Sequence, residues 1–325
     1  MSFVVERPGM MTIVQDLGRW GRQFMGIPVS DPMDQFSLRI GNVVLGNDQN
    51  AAALEIVSSG LDITVNVEQC VVLAGADLNM RINGLASPPW TVNYIPRGGR
   101  ITIDGPPKDG IRSYLCFSGG IGVPPVMGSR STYVKASLGG YKGRALKAGD
   151  VVSLCDPAPL WRRGVGFACP ADMRPTQCND EPLYTMDGPQ IDAFTQSGID
   201  TFYGETFTVT RDTDRMGCRL DGPEIGRRKP PDIISDGIAQ GAVQVPGRGR
   251  PIVMMSDRQT TGGYTKIAVV STWSIARLAQ RIPGDEVRFQ RVGEEEAVSY
   301  LLRFERDLWR LDNMRAAYRS KPHYY

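Results

Sequence analysis

At 325 residues the chain is long enough for two domains of ordinary size, and 41% hydrophobic with 22% charged residues describe a folded globular chain. A net charge of only +2 gives no global electrostatic case for nucleic acid or an anionic membrane. The single histidine, His323 in the tail "YRSKPHYY", leaves almost no room for a Ser-His-Asp or Cys-His nucleophile or a histidine-ligated zinc site.

The first segment, "MSFVVERPGMMTIVQD", places Glu6, Arg7 and Pro8 where a signal peptide needs an unbroken apolar core. No stretch approaches the roughly 20 apolar residues of a spanning helix, so a cytoplasmic protein is expected. Next, "SDPMDQFSLRIGNVVLGN" has Met33, Phe36, Ile40 and Val43 at helical spacing, with Asp31 as N-cap, Pro32 at the first helical position and Gly46 at the exit.

Short apolar runs between Gly, Pro, Asn and Asp turns then predict strands: "LDITVNV", "CVVLAGA", "RITID", "SYLCFSGG" and "DVVSLCD". A break follows, rich in Pro, Arg and small residues, over 157–182. Beyond it come "TFTVTRD", "GAVQVP", "PIVMMSD", "KIAVVS" and "DEVRFQRV". Residues 252–255 are apolar on both faces and belong deep in a barrel wall. "STWSIARLAQ" predicts a short helix capped by Ser or Thr. "EEEAVSYLLRFERDLWRLDNM" predicts an amphipathic one, with Leu301, Phe304, Leu308 and Leu311 on one stripe and acids at its start. A Gly-Asp turn feeding a strand occurs at Gly149 and again at Gly284, as sensible closing strands for two domains, though such turns are also ordinary hairpin chemistry.

The expected fold is therefore mainly β, in barrels or sandwiches, with a few short helices and a C-terminal amphipathic helix. The expected division is 1–156, a linker over 157–182, 183–293, and a helix and tail over 294–325. Six scattered cysteines (Cys70, Cys116, Cys155, Cys169, Cys178, Cys218), with no C-x-x-C among them, read as free thiols; Cys169 and Cys178 are close enough to pair under oxidation.

Polar chemistry concentrates in "SDRQTTGGYTKIA". Asp257 could act as a general base, and Arg258 could hold a carboxylate or carboxybiotin in two hydrogen bonds. Gln259, Thr260 and Thr261 offer donors for an amide or ureido oxygen. Gly262 and Gly263, followed by Tyr264, let backbone N–H groups approach a ligand, or else form a plain Gly-Gly hairpin turn. Asp214 and Arg215, with Asp212 and Arg219, lie in "VTRDTDRMGCRLDGP" and could equally be a self-satisfying salt-bridge network. Gln244, on an apolar strand, needs a partner or a cavity. Gln15, Asp16, Arg19, Ser30 and Asp34 are secondary candidates. Loops such as "GSRSTY" and "GGYKGR" only superficially resemble phosphate cradles; G-x-x-x-x-G-K-[ST] and the Met-Lys-Met of biotin attachment are both absent.

These motifs resemble a known family. "MTIVQDLGRWGRQFMGIPVSDPMDQFSLRIGNVVLGNDQNAAALEI", "RSYLCFSGGIGVPPVMGSRSTYVKASLGGYKGRALKAGD" and "SDGIAQGAVQVPGRGRPIVMMSDRQTTGGYTKIA" are similar to the biotin-dependent carboxyltransferase family, also called allophanate hydrolase subunit 2. The resemblance implies two cyclophilin-like β-barrel domains and a related allophanate hydrolase subunit 1-type (B-like) partner, with a third, A-like or biotin-carrying protein in some systems. It implies one of three activities: one component of an ATP-dependent lactam hydrolase that opens 5-oxoproline to glutamate, the carboxyltransferase half of a urea carboxylase, or an antagonist of a histidine-kinase inhibitor. In the first, Asp257, Arg258 and Gln259 would be catalytic, and Thr260, Thr261, Gly262, Gly263, Tyr264, Gln244, Arg215 and Asp214 would bind a small amide. No metal is expected; ATP would come through the complex, or biotin on a partner. The chain departs from the family pattern at Asp31 and Pro32, at Thr265, where proline usually follows the tyrosine, and at Trp273, which hints at a narrower pocket unless it merely packs its helix.

Overall fold

The computed structural model describes residues 1–175 and 180–320. Cys178 and His323 lie outside the described residues, and with them any pairing of Cys178 with Cys169; no disulfide joins any two of Cys70, Cys116, Cys155, Cys169 and Cys218 among the described residues. Two compact units emerge, and both are discontinuous. Met1–Arg19, Asp34–Gln177 and Phe304–Tyr325 make the first, while Trp20–Met33 and Cys178–Arg303 make the second. The division expected from composition misses both crossings, because neither the 20–33 segment nor the end of the last helix differs in composition from its neighbours.

In the first unit a six-stranded sheet runs in the order Val151–Ser153, Ser2–Pro8, Leu61–Val65, Gly99–Ile103, Met80–Ile82, Leu85–Ala86. A five-stranded sheet runs Met11–Gln15, Ala53–Val57, Lys108–Phe117, Gln69–Asp77, Asn93–Ile95. Alternating apolar residues of both sheets share one core: Phe3, Ile63 and Ile101 from one, Leu54, Leu73 and Leu115 from the other. Phe3 stacks on Phe117 with centroids 5.2 Å apart.

The first helix, α1, spans Gln35–Leu45. Its N-cap is Asp34, whose carboxylate accepts from Ser37 N at 3.0 Å, and Gly46 closes it at φ 76°. The expected cap at Asp31 is corrected: Pro32 and Met33 precede the first helical turn, so the helix begins one turn later than the proline suggests. Gly41 lets α1 lie close on the sheet; a Cβ there would stand 2.8 Å from Cys116 Sγ and 3.1 Å from Ala74 Cβ.

The second unit is built on one eight-stranded sheet, in the order Glu286–Val287, Phe207–Val209, Gly217–Asp221, Ile252–Met254, Ala242–Gln244, Lys266–Val270, Leu183–Asp187, Phe289–Arg291. Its two edge strands are separated in sequence only by Arg288, so the sheet curls back on itself into a nearly closed barrel. Eight strands leave an interior that side chains can fill, and Phe202, Phe207 and Phe289 fill it, with Phe202 stacked 4.4 Å from Phe289. Val253 and Met255 are buried as the continuous apolar run requires. Helix α2, Gln196–Gly204, was not expected from the sequence; α3, Thr272–Leu278, is capped by Ser271.

A separate ribbon pairs Asp232–Gly237 with Thr261–Tyr264. Gly262 and Gly263 therefore sit inside a strand, not at a hairpin turn. Trp273 stacks on Tyr300, which stacks on Tyr184 at 5.0 Å, so its indole packs α3 against the start of the last helix. That helix, α4, spans Glu294–Ser320. From Phe304 onward it belongs to the first unit, where Phe304 meets Phe36 edge-on at 4.5 Å and Glu305 pairs with Arg39 at 2.7 Å.

The two Gly-Asp turns share one bonding pattern. Gly149 N donates to Val5 O and Asp150 O accepts from Val5 N, at 2.8 and 2.9 Å; Gly284 N and Asp285 O make the same pair with Val209, at 2.9 Å each. In each turn the aspartate carboxylate also accepts the amide three residues earlier, from Lys147 at 2.7 Å and from Ile282 at 2.9 Å. The motif is a repeated device that fastens a closing strand in each unit.

Candidate functional site

In the second unit two distant segments meet: residues 30–33 and the turn 255–258 after Ile252–Met254. Ser30 N donates to Ser256 O at 3.2 Å, and Arg215 Nη2 donates to Asp31 O at 2.7 Å. Ser30 holds φ 50°, an uncommon conformation for a residue with a Cβ. The Ser256 hydroxyl lies over this segment, donating to Pro32 O at 3.5 Å and accepting from Gln240 Nε2 at 3.3 Å.

Four charges are buried together. Asp31 is 3% exposed, Arg215 7%, Asp257 4% and Arg258 7%. Arg215 Nε and Nη2 donate to the two oxygens of Asp257 at 3.1 and 3.2 Å, and Asp257 N donates back to Arg215 O at 2.7 Å. This forked pair makes Asp257 the charge partner of Arg215.

Arg258 is held differently. Its Nε donates to Ile238 O at 3.1 Å and its Nη1 to Met255 O at 3.4 Å, while Nη2 has no acceptor among the described residues. Burial pushes its pKa down, and the charges of Asp31 and Asp257 pull it back up. Asp31 has the opposite problem. Burial raises its carboxyl pKa from 3.8 to about 6, against the attraction of Arg258 and Arg215 and a hydrogen bond from Ser256. Its Oδ1 is buried with no hydrogen-bond partner, and so is Ser30 Oγ.

The ribbon lies next to Arg258 through Ile238. Ile238 N donates to Thr260 O at 3.0 Å. A Cβ on Gly262 would stand 2.5 Å from Ile238 Cδ1 and 2.9 Å from Gln244 Nε2, so a larger residue would push these two side-chain ends aside. Gln244 is 5% exposed and its Nε2 is buried without a partner. Thr260 and Gly263 are half-buried; Gln259, Thr261 and Tyr264 are exposed.

The remaining sequence candidates are engaged elsewhere. Asp214 is exposed and closes a turn, accepting from Met216 N at 2.7 Å and Gly217 N at 3.2 Å. Asp212 and Arg219 line a groove of about 500 Å³ with Arg248 and Arg250. In the first unit, Gln15 Nε2 donates to Thr132 O at 3.1 Å, and Arg19, 1% exposed, donates to Ser131 O. Asp16 accepts from Ser129 Oγ and Arg130 N, both at 2.5 Å, and from Ser131 Oγ at 2.8 Å. The "GSRSTY" loop thus wraps a carboxylate of its own chain, which explains its likeness to a phosphate cradle. Asp34 is the α1 cap, and its N–H donates to Tyr114 Oη at 2.8 Å.

Residues 25–291 match the carboxyltransferase domain family, subdomains A and B. The chain belongs to this family. It is 37% identical over 318 residues to the C subunit of 5-oxoprolinase from Escherichia coli, covering 94% of this chain and 98% of that one. It is 33% identical to the corresponding 5-oxoprolinase C subunit of Haemophilus influenzae, over 93% and 94% of the two chains. It also resembles urea amidolyase of Lachancea kluyveri, at 32% identity over 91% of this chain but only 17% of that protein. The solved urea amidolyase of K. lactis superposes with a TM-score of 0.89 at 28% identity, over 95% of this chain and 20% of that one.

Asp31, which the sequence offers as a helix cap and as a departure from the family pattern, is a buried acid of this cluster instead. Both Asp31 and Asp34 suit a helix cap, and nothing local separates them; Arg215 and Arg258, which do, are about 200 residues away. No group of His, Cys, Asp or Glu among the described residues could hold a metal ion, and no helix among them is long and apolar enough to cross a membrane.

Proposed function

We propose that this chain is one component of a heteromeric, ATP-dependent amide or lactam hydrolase, resembles the C subunit of 5-oxoprolinase in its role, and acts in the cytoplasm on 5-oxo-L-proline. The observation that carries this reading is similarity to that protein over nearly the whole length of both chains. The buried cluster suits the chemistry. A lactam is a poor electrophile, and activating it through its oxygen develops negative charge there. Arg258 Nη2, held in place from two other directions, is a donor placed to meet such charge. Asp257 acts through Arg215, keeping that guanidinium fixed beside the Asp31 backbone. Gly262, passing over Gln244, brings the ribbon backbone close to the same region. ATP is held by the assembled complex, with an allophanate hydrolase subunit 1-type (B-like) partner and an A-like protein supplying the rest of the site.

The test is co-expression with the partner proteins and assay of ATP-dependent glutamate formation. Arg258→Ala should lower the rate by about a hundredfold, the usual cost of one oxyanion donor. Asp257→Ala, which takes from buried Arg215 the carboxylate that grips it in two hydrogen bonds, should also lose most activity. Unchanged turnover in both variants would remove the cluster from the mechanism.

The resemblance to urea amidolyase favours a second reading, in which Arg258 holds carboxybiotin carried on a partner while an amide nitrogen attacks. Avidin then abolishes activity, whereas the hydrolase is indifferent to it. Nothing in the comparisons favours the regulatory reading.

A further inference from the structure

Among the buried polar atoms of the second unit that have no hydrogen-bond partner among the described residues are Ser30 Oγ, Asp31 Oδ1 and Gln244 Nε2. Native proteins leave few buried polar groups unpaired, and a ligand or an ordered water is the usual explanation. Asp31 is the most demanding of the three, because a buried carboxylate with one oxygen left without a donor is the most costly of these groups to bury. It also interacts electrostatically with Arg258, whose Nη2 has no acceptor among the described residues. We propose that Asp31 and Arg258 form an acceptor–donor pair that reads the cis edge of an amide, Asp31 taking the N–H and Arg258 the carbonyl oxygen. This rests on the amide-directed function proposed above and names the substrate class: a lactam or a ureido group.

The geometry of amides sets the direction. An ordinary secondary amide is trans, with its N–H and C=O on opposite edges. A five-membered lactam is forced cis, and urea always has an N–H on the same edge as its oxygen. These, like primary amides and unlike a trans secondary amide, present a donor and an acceptor side by side to a neighbouring acceptor and donor. Charge points the same way. Arg215 is matched by Asp257 and Arg258 by Asp31, so these four residues have no net charge. A carboxylate entering here gains no unpaired cation and meets two anions; a neutral amide loses nothing. Any carboxylate on the substrate is therefore recognised away from Asp31.

Saturation-transfer NMR on the full-length chain tests this with four probes at millimolar concentration: 2-pyrrolidinone, N-methyl-2-pyrrolidinone, urea and trans N-methylacetamide. The expected result is binding of 2-pyrrolidinone and urea, with N-methyl-2-pyrrolidinone and N-methylacetamide about tenfold weaker or more, the loss expected for a hydrogen bond to a charged group. Asp31→Ala should weaken 2-pyrrolidinone to the level of its N-methyl analogue and make the two indistinguishable. Asp31→Asn, which retains a neutral acceptor, should fall between. Binding should also weaken as pH drops through about 6, where the carboxyl facing Arg258, Arg215 and Ser256 takes up its proton. Circular dichroism melts verify that the variants are folded. Equal binding of both pyrrolidinones to the native chain, undiminished binding to folded Asp31→Ala, or no signal from any probe would overturn the proposal and leave Asp31 Oδ1 satisfied by water alone. Asp31-dependent binding of urea without 2-pyrrolidinone would uphold the pair and sink the lactam hydrolase.

Discussion

Burying Asp31 has a cost that depends on pH. Its carboxyl titrates at 3.8 when exposed and about 6 in the folded chain, because desolvation outweighs the two guanidiniums. The folded state therefore holds this proton more tightly than the unfolded one. Stability from this group is fully present below pH 3.8 and is lost as pH rises through about 6. Asp31→Asn removes the buried charge, so it should stabilise the chain by about 3 kcal/mol at pH 8, shrinking to about 1 kcal/mol at pH 4.5. Urea denaturation at the two pH values measures this, and a variant less stable than the native chain at pH 8 would contradict the desolvation account. A residue that weakens its own protein at neutral pH is a reasonable place to look for function. The sequence shows that residues 30–34 are polar, but not which aspartate caps and which is buried. Local spacing suits both, and the deciding guanidiniums come from far along the chain.

The elements that carry the site were unevenly legible. Strands with regular alternation, and the helices Gln35–Leu45 and Thr272–Leu278, could be read because their burial is periodic. The ribbon could not. Its strand Asp232–Gly237 is exposed at nearly every position, and Thr261–Tyr264 contains two adjacent glycines, the usual mark of a turn. What fixes it is the close approach of Gly262 to Ile238 and Gln244. Gly262→Ala puts a methyl group against Ile238 Cδ1 and Gln244 Nε2, and overpacking of this kind costs about 1–3 kcal/mol. We expect Gly262→Ala to lose activity in the reconstituted complex by far more than its melting shift accounts for, since the ribbon root at Ile238 also holds Arg258. A parallel change at Gly237, where a Cβ meets nothing within 4 Å, should be nearly silent. Equal effects of the two substitutions would show that the ribbon only needs flexibility.

At the scale of the whole molecule, mainly β architecture follows from turn spacing, whereas the exchange of segments between units does not. Trp20–Met33 belongs with Cys178–Arg303, and the end of α4 belongs with the first unit. A chain stopped at residue 177 therefore lacks both the partner of its 20–33 segment and the Phe304 and Glu305 contacts on α1. Limited proteolysis should cut such a fragment within 20–33 much faster than the full chain, and co-expression with 178–325 should restore protection. A fragment as resistant as the intact protein would mean that the first unit folds without either crossing.

The tie between Asp31 and Arg215 spans 184 residues. During synthesis, at about 5–20 residues per second, Asp31 leaves the ribosome roughly 10 to 40 s before the arginine that will hold it. Arg258 arrives later still. No ligand pocket exists on the nascent chain in that interval, and an aspartate free in water has its ordinary acidity. On the function proposed above, competence is thus acquired at once, late in translation, and we expect products of premature termination before Arg258 to be inactive in the reconstitution assay.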